Sequence, residues 1–232
     1  MAKANKQCKE GNVHLVKIPE ECRAEIANIA KETLDEASEI FDFQKPVDLV
    51  IFSTSAQFVI PELGMAAYAS REEFMICMFD FSRRDIEKII EKEFKATLFH
   101  EFSHIVRADL FGNTMVDLFE DMVSEGIASY VEKKMGGKTP YTNPIADEMK
   151  YLQKAKRMMV KKDYTYEDHQ EWFYGVGKLP RWIGYRLGYM LVEHYMKKHP
   201  KTSFAELVRL EAKAILQYEK DLTFLNSRSS GV

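Results

Sequence analysis

Cysteine is scarce in this chain. Cys8, Cys22 and Cys77 are odd in number and no two form a CxxC pair, which argues against a disulfide framework or a zinc knuckle built on paired thiolates. Long apolar runs are also missing, and no stretch approaches the roughly 20 residues that a membrane-spanning helix needs. Charge of one sign is never concentrated: the formal net charge is −3 and there is no basic block, so nucleic acid is not the expected partner. Pro/Gly/Ser-rich linkers, repeats and low-complexity tracts are absent, and residues 1–232 read as one folding unit. The segment Met1 to Gly11 is polar, with no apolar signal-like core. The expectation is a soluble, cytoplasmic protein that engages neither nucleic acid nor membrane.

Apolar residues make up 46% of the chain and aromatics 12%, enough for a substantial core. Ile26, Ile29, Ala30, Leu34, Ala37 and Ile40 recur at helical spacing, which predicts an amphipathic helix over 19–41 behind Pro19. Pro46 ends it, and Val47 to Phe52 has the length and β-branching of a buried strand. Two further strands are expected at Met65 to Ala69 and Phe74 to Phe79, joined by a turn at Arg71-Glu72-Glu73. Ser82 and Asp85 suggest a cap for a helix running to about Asp109. After a break at Gly112-Asn113, a second helix is expected from Val116 to Met135, stopped by Gly136-Gly137. Beyond the turn-rich stretch Lys138 to Pro144 the chain reads as helix: 145–162, 165–174, 180–198 and 203–217, the last capped by Ser203 and Glu206. Strands early and helices late predict an α+β fold, an α/β part over about 1–110 and a helical part over about 111–232.

Within the first long helix stands His100-Glu101-Phe102-Ser103-His104. At this spacing the two imidazoles lie one turn apart and can converge on one Zn²⁺, with Glu101 placed as a general base. Phe94, Leu98, Phe102 and Ile105 form the apolar stripe of that helix, and both histidines lie off it. A catalytic zinc needs a third protein ligand and an open position. The three-histidine form of the motif would need a histidine at position 110, which is Leu110 here. Glu125, in Ser124-Glu125-Gly126, is the preferred third ligand, with Glu120 and Asp121 as competitors. Gly126 beside it permits close helix approach. Asp121, one turn before Glu125, is the expected partner for the other ring nitrogen of a ligand histidine, with Asp117 a turn further back; both also suit a helix N-terminus. For the oxyanion of a hydrolytic intermediate, Tyr185, Arg186, Tyr189 and His194 are available on one helix, and Tyr185 is preferred, beside Gly184 and Gly188.

The motif at 100–104, Ser124-Glu-Gly-Ile-Ala-Ser129 and Pro180-Arg-Trp-Ile-Gly-Tyr-Arg-Leu-Gly-Tyr189 together resemble the predicted zinc-dependent proteases typified by YjaZ-like bacterial proteins. The resemblance spans Val47 to about His199. It implies a zincin-like fold of the gluzincin type, a small sheet packed on the active-site helix, with one zinc on His100, His104 and Glu125 and with Glu101 activating water. It also implies a peptide or protein substrate lying extended along an edge strand, for which Gly64 to Ala69 is the candidate. The competing expectations are a zincin-like regulatory or adaptor protein that acts by binding a partner, and a zinc hydrolase of a non-peptide amide.

Overall fold

The computed structural model describes residues 11–70, 73–112, 117–158 and 164–217. The chain divides into two compact units, 1–109 with 132–138 and 110–131 with 139–232. Among the described residues no helix is long and apolar enough to cross a membrane.

The first unit is a four-stranded sheet with helices. Strands β1 (Val13–Val16), β2 (Asp48–Ser53), β3 (Met65–Ser70) and β4 (Phe74–Phe79) lie in the order β1-β2-β4-β3. The first three in that order run parallel, Leu49 pairing with Val13 on one side and Met75 on the other, while β3 runs antiparallel to β4 and forms an edge. The β3–β4 hairpin thereby places β4 inside the sheet and leaves β3 outermost. Of its expected turn, Arg71 and Glu72 lie outside the described residues, and Glu73 has a left-handed φ of 57°. Strand β1 was not expected. Its four residues, Val-His-Leu-Val, are too short a run to stand out as a strand, and its partner lies 36 residues on. The pairing starts at Asn12, whose backbone and side-chain amides both donate to Asp48 Oδ1, at 2.7 and 3.1 Å.

Helix α1 (Glu20–Ile40) begins directly after Pro19, as expected, and buries Ile26, Ala30, Leu34 and Ala37. The expected Ser82 cap is not made. The Ser82 amide and hydroxyl both donate to Asp80 Oδ1, at 3.0 and 2.6 Å, in a turn that precedes the helix, because the nearer carboxylate satisfies both donors first. Helix starts instead at α2 (Ile86–Ile89), widens through a π-helical turn (Ile90–Phe94) and continues as α3 (Lys95–Phe111). Gly112, at φ 73°, follows it, and Asn113 lies outside the described residues. From Ala96 to Arg107 every residue of α3 except His104 is buried. Phe41 stacks on Phe102 with ring centroids 5.8 Å apart, and Phe43 meets the same ring edge-on at 5.6 Å. Each such fully buried ring contributes about 1.5–3 kcal/mol of apolar transfer, so α3 is anchored in the unit 1 core immediately beside its polar residues.

The second unit is helical. Helix α4 (Leu118–Lys134), of which 132–134 belong to the first unit, is capped by Asp117, whose Oδ1 accepts the amides of Phe119 and Glu120 at 2.8 and 2.9 Å. There follow α5 (Glu148–Met158), α6 (Tyr166–His169) with a π-helical turn (Gln170–Tyr174), α7 (Ile183–Lys198), α8 (Phe204–Leu207) and α9 (Ala212–Gln217). Leu118, Met122, Leu152, Trp172, Phe173, Ile183 and Leu187 form the core of this unit. The Ser203–Glu206 capping box forms as expected. The single helix expected over 203–217 does not. Its amides at Arg209 and Leu210 take tighter bonds to residues three back, and Ala212 N donates to Glu120 Oε2 at 3.3 Å, so the chain restarts as α9.

Helices α4 and α7 touch backbone to backbone. A Cβ placed on Gly126 would lie 2.2 Å from the Gly188 carbonyl carbon, and one on Gly188 would lie 1.8 Å from the Met122 oxygen. The close approach expected from these glycines is therefore built into the unit.

Candidate functional site

His100 and His104 stand one turn apart on α3, as the spacing requires, with ring centroids 5.0 Å apart. His100 is buried and His104 half-buried. One ligand atom from each imidazole and one carboxylate oxygen of Glu125 lie within 4.8 Å of one another. Among the described residues this is the one group of three or more histidine, cysteine or acidic side chains so arranged. Two imidazoles and a carboxylate are a donor set suited to zinc.

The partner that fixes His100 was not foreseen. Its Nδ1 lies 2.9 Å from Oε2 of Glu132, and both side chains are buried. A carboxylate only accepts, so Nδ1 carries the proton and Nε2 keeps its lone pair available to a metal. Glu132 lies seven residues after Glu125, two turns along α4, so the two acids share one face of that helix. The signal was present in the sequence as that spacing, but Glu132 reads there as an ordinary charged position near the helix end.

Glu101 is buried, 6% exposed. Its charge reaches β4: burial, and then the Glu101 carboxylate, push the Cys77 thiol well above its usual range. The base candidate is therefore a buried side chain of the first unit whose charge is felt at Cys77 on β4.

Asp121 is also buried, 2% exposed. Its Oδ2 accepts the Tyr164 hydroxyl at 2.9 Å and lies 2.8 Å from Nδ1 of His169. Neither Tyr164 nor His169 was singled out from sequence, because a pairing across more than 40 positions leaves no local pattern. Glu120, a competitor for the ligand role, accepts the Ala212 amide, and Asp117, the other acid considered as a partner for a ligand histidine, caps α4.

The α7 candidates are engaged in several ways. Arg186 makes a two-pronged ion pair with Glu148, at 2.6 and 3.0 Å, and donates to the Thr142 carbonyl. Tyr189 donates to Glu193 at 2.8 Å, and burial, with that hydrogen bond, holds its hydroxyl well above the usual range. Burial, then Lys198 and Lys197, lower the pKa of His194. Tyr185 is half-buried in an aromatic cluster with Tyr141 at 4.7 Å and with Phe173 and Trp182 both at 5.4 Å. Trp182, which begins α7, is held at a left-handed φ of 69°, with Arg181 stacked over its ring at 4.1 Å.

A family model described as a predicted Zn-dependent protease (DUF2268) matches residues 26–217. No curated protein and no solved structure matches the chain.

Proposed function

Since the chain belongs to the DUF2268 family of predicted Zn-dependent proteases, we propose that it is a zinc peptidase whose metal is held by His100, His104 and Glu125. The observation that carries this reading is the convergence of those three ligand atoms within 4.8 Å. The Glu132 contact supports it, because it orients the His100 ring by the means that metal-bound imidazoles use. A zincin-like arrangement is supported by the sheet: its edge strand β3 is antiparallel to its neighbour and carries the small residues Ala66, Ala67 and Ala69. A substrate segment adding to that edge would be held by main-chain hydrogen bonds, with side-chain pockets setting its sequence.

When bound, Zn²⁺ supplies a Lewis acid that polarises the scissile carbonyl and lowers the pKa of water. Glu101 accepts a proton from the attacking water as its oxygen bonds to the carbonyl carbon. The same carboxylic acid then returns the proton to the amine nitrogen as the carbon–nitrogen bond breaks, and the base is regenerated. Glu132 keeps the proton on His100 Nδ1 throughout.

The test is to measure zinc in protein purified without added metal, and to digest a peptide library with and without a chelator. Zinc should co-purify, His100→Ala should lose it, and cleavage should stop with chelator. Protein that holds no zinc, and whose stability added zinc leaves unchanged, would overturn the reading. Zinc without cleavage would favour a partner-binding protein, and cleavage of small amides alone a non-peptide hydrolase. Glu132→Gln is expected to weaken zinc binding by about 10–100-fold, read by competition with a chromogenic chelator. An unchanged affinity would mean that the His100–Glu132 contact has no part in holding metal.

A further inference from the structure

We propose that Glu93 is a positioning residue of the metal site: by holding the chain just past α4 against the start of the His100 helix, it keeps Glu132 on the His100 ring. The inference rests on the zinc reading above, and every residue it uses belongs to the first unit.

Glu132 stands where a hold is needed. Helix α4 ends at Lys134, so the acid that orients His100 lies in its last turn, and helix ends fray. The amides of Met135 and Gly137 both donate to the Glu132 carbonyl at 3.1 Å, and Gly136 turns the chain at a left-handed φ of 94°. Those bonds close the helix, but none of them ties its last turn to α3.

The next two residues supply the tie. Gly137 lies so close to α3 that a Cβ placed on it would stand 2.9 Å from the Ala96 Cβ and 2.9 Å from the Glu132 Cγ. The Lys138 amide then donates to Glu93 Oε2 at 2.8 Å, and the Lys138 ammonium lies 3.3 Å from Oε1. Going back along the chain from His100, the contacts fall at His100, Ala96 and Glu93. Going forward from Glu132, they fall at Glu132, Gly137 and Lys138. The two segments therefore run in opposite directions and are pinned at both ends of the stretch.

Glu93 is 3% exposed, a costly place for a carboxylate without donors, and both of its oxygens meet donors of Lys138. The ammonium is 70% exposed, so solvent weakens that ion pair and the bond to the amide is the stronger tie. Glu93 belongs to the π-helical turn Ile90–Phe94, a distortion frequent at functional sites. From there it grips main chain, so what it fixes is the path of the backbone that carries Glu132.

The experiment measures the zinc affinity of the full chain by competition with a chromogenic chelator. Wild type is compared with Glu93→Ala, Glu93→Gln and Gly137→Ala, and Glu93→Ala is repeated in a Glu132→Gln background. Glu93→Ala should weaken zinc binding by about tenfold, the lower end for loss of a partner outside the ligand set, because Glu132 is kept but not held. Glu93→Gln still offers an oxygen to the Lys138 amide and should stay within about threefold of wild type. In the Glu132→Gln background, Glu93→Ala should change the affinity by less than about twofold, since the residue through which it acts is already gone. A general weakening of the fold would persist in both backgrounds. Glu93→Ala with an affinity within about twofold of wild type overturns the inference, and so does a loss that is as large beside Glu132→Gln. Should Glu93→Ala fail to fold, Gly137→Ala carries the test with Glu93 intact. Its Cβ would displace the Glu132 Cγ and should weaken zinc binding by about fivefold, and an unchanged affinity there overturns the inference. A wild type that binds no zinc overturns the zinc reading and this inference with it, whereas zinc binding by wild type with an indifferent Glu93→Ala overturns this inference alone.

Discussion

Glu101→Gln is expected to lower peptide hydrolysis by about 10³-fold, within the range for loss of a general base, while zinc content stays at the wild-type level. The amide has the shape of the carboxylate, so the packing of this 6%-exposed side chain is kept. The proposed ligands, His100, His104 and Glu125, are untouched, and so is the Glu132 contact that orients His100. What the substitution removes is the ability to take a proton from water and return it to the amine. The measurement is kcat and KM on a cleaved library peptide, with metal analysis on the same sample. A variant that cleaves at the wild-type rate would remove Glu101 from the mechanism and leave only the metal half of the proposal. A variant that loses both zinc and activity would make Glu101 a part of the metal's surroundings instead.

The second large effect concerns the fold. Gly188→Ala should destabilise the protein by about 3 kcal/mol, the upper end of what overpacking costs. The added Cβ would sit 1.8 Å from the Met122 carbonyl oxygen and 3.1 Å from the Gly126 amide nitrogen. Both are backbone atoms of α4, so no side-chain rotation can clear the space, and the two helices have to separate. Their parting would open the packing around Met122 and Leu187, both fully buried. Thermal unfolding of the metal-free protein should fall by roughly 6–12 °C, and a shift under 2 °C would show that the helices can separate at little cost. Gly184→Ala is a useful contrast. Its Cβ would meet the ring of Phe173 at 2.7 Å, a side chain rather than backbone.

Helix α1 and strands β2, β3 and β4 were legible because each carries its own apolar period. The pairing of His100 with His104 was legible for the same reason, since two histidines one turn apart declare their geometry locally. Residues whose roles depend on distant partners were not legible. Strand β1 exists through a parallel pairing with β2, and Ser82 turned to Asp80 rather than cap a helix. The long helix expected from 203 broke where Glu120 took an amide that the helix would have used. The same holds at the site. His100–Glu132, a buried pair, and Asp121–His169, a part-buried one, are joined across 32 and 48 positions, and neither leaves a trace in local composition.

Helix α4 carries Asp121, Glu125 and Glu132 on a single uninterrupted rod. One residue inserted between any two of them would turn the downstream acid by about 100° about the axis. Three acids spaced by four and then seven residues can be displaced together but never one at a time. Length variation among members of this family should therefore be barred from residues 121–132.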